Sequence, residues 1–327
     1  MTEENRAIRH STLSAAGVTI PLPCFSPSVS SIKTNLLPVD YIEFLSASGH
    51  PLFLVSAFDI GNSSEEHRTR INSALMACKN KGTAILMDSG NYERFWKAQS
   101  WEANQFHEIS QASAHHLAFC YDNQEPPQTA EAIAADVIAG VLRDQKHSIG
   151  TIVPIVHGST ELLPLAAQIT AKELYPILLA VPERALGDGI AARTKTVRKI
   201  RKALNGAGFY CPLHLLGTGN PISMIAYAFA GADSFDGLEW CQTVVNHKTG
   251  VLYHFQQWDL FRDQTGWGTN GNLPYNQSVL MHNLIFFNRF MEELRVAVKE
   301  EKPKDLLEKY LPVEKSETIL RMLNGSD

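Results

Sequence analysis

Residues that could carry out chemistry follow short apolar runs along this chain of 327 residues. Carboxylates end three of the runs, at Asp88, Asp122 and Asp236, while His157 ends another and Glu183 follows one more. Two carboxylates that face each other across a pocket suit general acid–base catalysis or attack on an anomeric carbon. A lone aspartate in such a place more commonly caps a helix or bridges a loop, so this chemistry requires several of them to converge.

The apolar runs recur at a spacing that predicts the elements needed to bring these residues together. Their ends lie 25 to 36 residues apart, except for a last interval of 18 residues. A (β/α)₈ barrel of about 250 residues needs roughly 30 residues per βα unit and carries its catalytic groups at the carboxyl ends of the strands. The predicted strands are Pro23–Pro27, Leu52–Ala57, Ala84–Asp88, Leu117–Asp122, Thr151–His157, Pro176–Pro182, Leu213–Thr218 and a weaker one that ends at Asp236.

The segments between the runs predict helices. Apolar residues from Ile133 to Leu142 recur at helical spacing, and Asn220-Pro221 is typical of a helix N-cap followed by proline. Leu280 to Val298 predicts a long amphipathic helix. The predicted fold is therefore α/β, a TIM barrel over residues 1–260 with a C-terminal helical region, 261–327, packed on it. Pro154 inside the fifth predicted strand conflicts with this pattern, because proline donates no ladder hydrogen bond.

The composition limits the classes of protein to consider. Hydrophobic residues make up 44% and charged residues 19%, which is ordinary for a globular chain. The polar start, Met1–Arg6, has no apolar segment behind it, and no run approaches the length of a membrane span, so we expect a cytoplasmic protein without membrane contact. Five scattered cysteines without a CxxC pair predict neither a disulfide framework nor a cysteine-built zinc site. The net charge of −5 gives no support for a polyanionic partner.

Two enzyme classes remain open from the residues alone, glycosyl transfer and metal-assisted hydrolysis on a barrel. The hydrolase is the weaker interpretation, because His115-His116 precedes the fourth strand and the first strand has no HxH pair. The segment Gly217-Thr218-Gly219-Asn220 leads into a predicted helix N-terminus, where it could hold a phosphate or a ring carbonyl, or form only a tight turn. No metal or other cofactor is predicted.

Eight short motifs between about Phe25 and Arg295 are similar to those of one known enzyme family. Its FSPSV at 25–29 with Ile32-Lys33 is similar to the family's FMPVGT…VK, and MDSGNYE at 87–93 to DSGGFQ or DSGGYQ. Further along, FCYD at 119–122 resembles the VFDEC strand, PIVHG at 154–158 stands where the family has GIVQGG, and AVPERALGD at 180–188 parallels AIGGLSVGE. LLGTGNP at 215–221 parallels LMGVGTP, GADSFD at 231–236 is close to GVDMFD, and His282-Asn283-Leu284 with Phe287 resembles HNLxFY. The eight pieces occur in the family's order, and on them the chain resembles the tRNA-guanine transglycosylase superfamily from about Phe25 to Arg295.

The resemblance implies a base exchange at guanosine in a nucleic acid. By it, Asp236 attacks C1′ of the ribose, guanine leaves and a covalent glycosyl-enzyme forms. Asp88 is then the general acid–base for the departing and the incoming base. The incoming base would be a 7-deazaguanine such as preQ0, preQ1 or queuine, and a homodimer or an accessory protein is a possible partner.

The resemblance also implies which residues contact the heterocycle. It places Tyr92 and Leu216 on its two faces and Gly217 where the ring approaches the backbone. Asp122 suits recognition because a carboxylate accepts hydrogen bonds from both N1–H and the 2-amino group of guanine. The residues at base-recognition positions are Ser89, Asp122, His157 and Glu183.

The chain departs from the family pattern in its pocket and in its metal site. Asn91 and Glu93 replace a glycine and a glutamine, and Pro182-Glu183 replaces two glycines, so we expect a more acidic pocket. The family's CxCxxC is missing, so we predict no structural zinc, and His282 is expected to be a packed or capping residue.

The segment after Asp236 bears on the choice of nucleic acid. It lacks the arginines that grip the anticodon loop in the family. Together with the missing thiolates this favours the DNA-modifying branch of the superfamily. The alternatives are an atypical tRNA enzyme of the queuosine or archaeosine type and a non-catalytic, nucleic-acid-binding partner subunit. The presence of both Asp88 and Asp236 argues against the subunit.

A basic strip lies between residues 193 and 202. Six cations and no acid occur there, which suits either a solvated outer helix of the barrel or a face that contacts phosphates. We expect the nucleic-acid backbone to bind at this strip, which consists of Arg193, Lys195, Arg198, Lys199, Arg201 and Lys202.

Overall fold

Eight parallel strands form the central sheet of the computed structural model, which describes residues 8–93, 100–266 and 273–324. The polar start of the chain and part of the C-terminal region after Gly266 lie outside the described residues. The strands are β1 (Thr12–Ala15), β2 (Val18–Pro21), β3 (Cys24–Val29), β4 (Leu52–Ser56), β5 (Ala84–Asp88), β6 (Leu117–Phe119), β7 (Thr151–Val153), β8 (Leu179–Pro182), β9 (Leu213–Leu216), β10 (Ser234–Gly237), β11 (Thr243–Val245) and β12 (Leu252–His254). Strands β3 to β10 each overlap one of the eight predicted runs, although several are shorter than predicted, and the pairs β1–β2 and β11–β12 are antiparallel.

The central sheet curves into a barrel whose last seam lies between β7 and β8. Hydrogen-bonded neighbours run in the order β7-β6-β5-β4-β3-β10-β9-β8. A single bridge between Ile155 and Ala180 joins the two ends. There the amide of Ala180 donates to the carbonyl of Pro154, and the amide of Val156 donates to the carbonyl of Ala180, each at 2.9 Å. The barrel prediction is confirmed, whereas the fifth strand ends at Val153, because Pro154 has no N–H to continue the ladder.

Helices surround the barrel and follow its strands. They are α1 (Pro38–Ala47), α2 (Ala57–Gly61), α3 (Glu65–Asn80), α4 (Ala103–Ala112), α5 (Ala130–Asp144), α6 (Leu163–Leu174), α7 (Gly189–Asn205), α8 (Pro221–Ala230) and α9 (Glu239–Gln242), and then α10 (Tyr275–Lys299), α11 (Pro303–Tyr310) and α12 (Val313–Asn324). The Asn220 side chain accepts from the amides of Ile222 and Ser223, so the predicted cap of α8 is confirmed. Helix α5 is confirmed as well, although Leu142 in its predicted apolar stripe is 56% exposed.

A buried carboxylate ties together the amino ends of the strands that carry much of the site. Asp233, fully buried just before β10, pairs with Arg9 and Arg201, each at 2.8 Å. It also accepts from the hydroxyl of Tyr210 at 2.6 Å and from the amide of Leu213 at 2.9 Å. These contacts fix β9 and β10 relative to each other at the end of the barrel opposite the site.

The C-terminal helices pack against the barrel. On α10, Phe287 stacks on Phe25 of β3 with ring centroids 4.5 Å apart, and Arg295 donates to the carbonyl of Pro23 at 3.2 Å. The predicted amphipathic helix is therefore confirmed, with its apolar side turned towards β3. Among the helices that the structure describes, none has both the length and the apolar character required to cross a bilayer.

Candidate functional site

A cavity of about 360 Å³ opens at the carboxyl ends of the barrel strands. Eight of the nine residues singled out as catalytic or substrate-binding line it, because the strand ends of a parallel barrel meet at one rim. These eight are Asp88, Ser89, Tyr92, Asp122, His157, Leu216, Gly217 and Asp236. Their position in one cavity agrees with expectation, and their chemical roles remain predictions.

Asp236 lies on β10 and accepts hydrogen bonds from three different groups. Its Oδ1 accepts from the amide of Gly217 at 2.9 Å and contacts Nε2 of His214 at 3.1 Å. Its Oδ2 accepts from the hydroxyl of Ser28 at 2.7 Å. The carboxylate is 7% exposed, so its orientation is fixed before any ligand binds.

Asp88 ends β5 and is a partly exposed member of the same rim. Burial within the pocket raises its pKa to about 7, and the negative charges of Asp122 and Asp236 act in the same direction. One hydrogen bond, from the amide of Gly90 at 2.9 Å, opposes the increase. A carboxyl group with a pKa near neutrality can both give and take a proton at physiological pH.

The position directly after Asp88 and Ser89 requires a glycine. Gly90 has φ +77°, and a Cβ atom there would lie 2.6 Å from the backbone nitrogen of Phe58. The adjacent Asn91, which replaces a family glycine, instead donates from its side chain to the carbonyl of Asp122. This bond links the loop after β5 to the segment after β6, where the next site residues lie.

Asp122 belongs to a hydrogen-bonded network that crosses the pocket. Its Oδ2 contacts Nε2 of His157 and accepts from the side-chain amide of Gln124 at 2.6 Å. The oxygen of Gln124 in turn accepts from Arg184 at 2.7 Å. Protein donors thus occupy one oxygen of Asp122 and orient its carboxylate, while its role in base recognition stays a prediction.

Two further carboxylates line the cavity, Glu93, which the sequence predicts to make the pocket more acidic, and Glu239, which it does not single out. Glu239 lies close against the backbone of Gly219 and Gly237, where a Cβ atom on either glycine would overlap its carboxylate. Burial raises its pKa to about 7, and burial also raises the pKa of Glu93. The position of Glu93 in the cavity agrees with the expected acidic pocket. The spacing of Glu239, three residues after Asp236 at the end of β10, is a signal that could have found the second carboxylate.

Glu183 does not line the cavity, contrary to expectation. It begins a short 3-10 turn after β8, and its Oε1 pairs with Arg193 at 2.9 Å and accepts from the hydroxyl of Tyr227 at 3.1 Å. The neighbouring Arg184 faces the cavity in its place. This corrects the prediction that Glu183 contacts the base.

The amide of Gly217 and the first amides of α8 are engaged with protein acceptors. Gly217 donates to Asp236, and Ile222 and Ser223 donate to the side chain of Asn220. These three donors are therefore already used within the chain, which weakens the alternative that this helix N-terminus holds a phosphate. Its contribution is to hold the carboxylate of Asp236.

The basic strip on α7 is split between internal and exposed cations. Arg193 pairs with Glu183, Arg198 donates to the carbonyl of Met322 at 2.7 Å, and Arg201 is buried against Asp233. The expectation of six phosphate-contacting residues is therefore too broad, and for Arg201 it is wrong, since its guanidinium serves the core. The exposed remainder is Lys195, Lys199 and Lys202, which recur at helical spacing on one face.

His282 is packed, as predicted. Its ring lies 4.1 Å from that of His247, and its Nε2 donates to the carbonyl of Val245 at 2.7 Å. Burial lowers the pKa of both imidazoles. Over the described ranges, no group of three or more His, Cys, Asp or Glu side chains is arranged to hold a metal ion.

A second cavity of about 460 Å³ adjoins the first. It is lined by the 120–127 segment and by α5, and it shares Asp122 and His157 with the candidate site. Neither Asp88 nor Asp236 lines it, so the pair of carboxylates belongs to the smaller cavity alone of these two.

Comparison of the sequence with protein-family models and with curated proteins gives no match. The case for a function therefore depends on the geometry of the cavity and on the resemblance of its motifs.

Proposed function

We propose that this chain is a transglycosylase that exchanges guanine for a 7-deazaguanine-type base in a nucleic acid. The observation that carries the proposal is the pair formed by Asp236 and Asp88 in one cavity. Asp236 is a carboxylate oriented by three hydrogen-bond contacts, and Asp88 has a pKa raised to about 7. A nucleophile and a proton carrier with different environments are what a two-step displacement at an anomeric carbon requires.

The first step would form a glycosyl-enzyme. An oxygen of Asp236 bonds to C1′ of the ribose as the bond from C1′ to N9 of guanine breaks and its electron pair goes to the base. Protonated Asp88 transfers its proton to the departing guanine and becomes a carboxylate. In the second step Asp88 removes the corresponding proton from the incoming base, whose nitrogen attacks C1′ and releases Asp236.

Recognition of the base would depend on the network around Asp122. Its carboxylate suits the N1–H and 2-amino donors of guanine, which a 7-deazaguanine also presents. When the base binds, its donors would replace the side-chain amide of Gln124, so the Asp122 oxygen would still accept a hydrogen bond. Ser89, Tyr92, His157, Leu216 and Gly217 line the space around it.

Extraction of the nucleotide from its stack would be needed before either step, because C1′ of a stacked nucleotide does not reach a cavity at the rim of a barrel. Tyr92 is 38% exposed at the cavity and provides an aromatic surface for the extracted base. Of the two kinds of nucleic acid, DNA is preferred, since the segment after Asp236 lacks the family's arginines.

The test is exchange of radiolabelled guanine into tRNA, duplex DNA and single-stranded DNA, assayed in parallel. We expect label to enter DNA with the wild-type chain and with the control E183Q, which alters an acid outside the cavity. The variants D236N and D88N should lose incorporation. Label that enters only tRNA would support the atypical tRNA enzyme instead, and binding without exchange in any substrate would support the partner subunit.

A further inference from the structure

A chain of buried polar groups leads away from Asp236 into the barrel. Cys24, Ser234 and His214 are in register on the neighbouring strands β3, β10 and β9. The thiol of Cys24 lies 3.2 Å from Oγ of Ser234, and Nδ1 of His214 lies 2.7 Å from the same oxygen. Nε2 of His214 then reaches Oδ1 of Asp236 at 3.1 Å.

The direction of the hydrogen bonds along this chain follows from its two ends. Burial raises the pKa of Cys24 to about 11, so the thiol keeps its proton and donates to Ser234. The hydroxyl of Ser234 is then free to donate to Nδ1 of His214. At the other end an ionised Asp236 has only acceptors, so Nε2 of His214 must carry a proton.

The contacts of His214 distinguish its neutral form from the imidazolium. Its side chain is fully buried, and Phe119 packs against its ring with centroids 4.8 Å apart. If Nδ1 also carried a proton, this N–H and the Cys24 thiol would both be directed at Ser234, and the hydroxyl proton of Ser234 would lose its acceptor. The neutral ring accepts that proton at Nδ1. With the proton on Nε2, each hydrogen bond between Cys24 and Asp236 joins one donor to one acceptor.

We propose that His214 is a positioning residue for Asp236, held by Cys24 and Ser234 in the neutral form that carries its proton on Nε2. His214 and the amide of Gly217 together occupy Oδ1, while only Ser28 donates to Oδ2. Oδ2 is therefore the oxygen that attacks C1′, and because the imidazole is neutral, Asp236 keeps its full negative charge for the attack. This inference rests on the proposed transglycosylase function, since it assigns the reacting atom of that site.

The first test needs no substrate. A long-range ¹H–¹⁵N correlation spectrum of the ¹⁵N-histidine-labelled protein at pH 7.5 distinguishes the two neutral forms and the imidazolium, and the H214N spectrum assigns the signal. We expect His214 to carry its proton on Nε2 in the wild-type chain and in C24A, where Ser234 still donates to Nδ1. S234A removes the donor to Nδ1 and should admit some of the imidazolium, while Nε2 keeps its proton against Asp236. A wild-type signal from the Nδ1–H form or from the imidazolium overturns the proposal.

The second test measures the rate of glycosyl-enzyme formation and the KM for the nucleic acid separately. H214F removes the donor to a charged acceptor and should lower the rate by about 10- to 100-fold, with KM unchanged. H214Q, whose amide can reach the position of Nε2, should recover part of the rate. An unchanged rate in H214F overturns the proposal. If the wild-type chain forms no adduct at all, the proposed function fails, and the spectrum of the wild-type chain still decides the state of His214.

Discussion

The guanidinium carbon of Arg184 lies 4.0 Å from the centroid of the Tyr92 ring. This stack, together with the bond from Arg184 to Gln124, holds a positive charge at a cavity that also contains Asp88, Glu93, and other carboxylates. A nearby cation favours the ionised form of a carboxyl group, and Arg184 accordingly lowers the pKa of Asp88 below the value that burial alone would give.

Replacing Arg184 should therefore change the pH dependence of the reaction. R184Q removes the charge but keeps a planar amide over Tyr92, so the pKa of Asp88 should rise and adduct formation should persist to higher pH. The measurement is the single-turnover rate between pH 5.5 and 9. K33Q, which removes another cation of the cavity lining, is the matched control and should leave the profile in place. Identical profiles for R184Q and the wild-type chain would refute this role of Arg184.

The wild-type profile itself follows from the raised pKa of Asp88. A carboxyl group with a pKa of about 7 is protonated below that pH, so it can act as an acid there and loses this capacity as the pH rises. The rate of adduct formation should fall about tenfold per pH unit above about 7, because the protonated fraction falls by that factor. D88N should abolish the reaction.

Glu239 provides the comparison for this prediction, since burial raises its pKa to about 7 as well. E239Q should retain the alkaline limb of the profile if Asp88 is the acid. Loss of the limb in E239Q would assign the titration to Glu239 and remove Asp88 from the proposed step.

The amino-terminal end of the barrel should be sensitive to a single substitution at Asp233. D233N leaves the guanidinium of Arg201 buried without its counter-charge and weakens the contact to Arg9, so we expect the free energy of unfolding to fall by about 3–5 kcal/mol. Urea denaturation measures this change. The exposed D136N should alter stability by less than about 0.5 kcal/mol. A loss below about 1 kcal/mol in D233N would mean that other contacts hold β9 and β10 together.

Much of the barrel is predictable because its signal is local. A strand buried on both faces needs a continuous apolar run, and the eight runs fix both the strands and the rim where they end. The positions of the runs are therefore enough to predict that Asp88, Asp122 and Asp236 lie at one rim. Several strands end before their predicted run does. The largest difference, after Val153, follows from Pro154, whose missing N–H is visible in the sequence.

The direction of side chains in turns is not predictable in this way. Glu183 and Arg184 are adjacent in a 3-10 turn, and only their partners, Arg193 and Gln124, decide which one faces the cavity. The burial of Arg201 likewise depends on Asp233, 32 residues away. The chain of polar groups beneath Asp236 does carry a signal, because alternate residues of a strand share a face, which puts Ser234 with Asp236 and His214 with Leu216.

Charge reversal on α7 tests how the nucleic acid is held. The triple variant K195E/K199E/K202E inverts the exposed face and leaves the internally bonded arginines in place, so the fold should be kept. We expect weaker binding at low salt, by a similar factor for all sequences, and a reduced dependence of affinity on salt, since phosphate contacts carry no sequence information. Fluorescence anisotropy with labelled DNA and RNA measures both. Affinity equal to the wild-type value would exclude this face as a phosphate contact.

The proposed reaction forms a covalent bond between Asp236 and C1′ of the sugar of a guanine nucleotide in a nucleic acid. The most direct measurement is intact-mass analysis of the chain after denaturing quench with guanine-containing DNA or RNA, followed by peptide mapping of the modified residue. We predict an adduct on Asp236 in the wild-type chain, and none in D236N. Absence of any adduct across DNA and RNA substrates, or an adduct that persists in D236N, would contradict it.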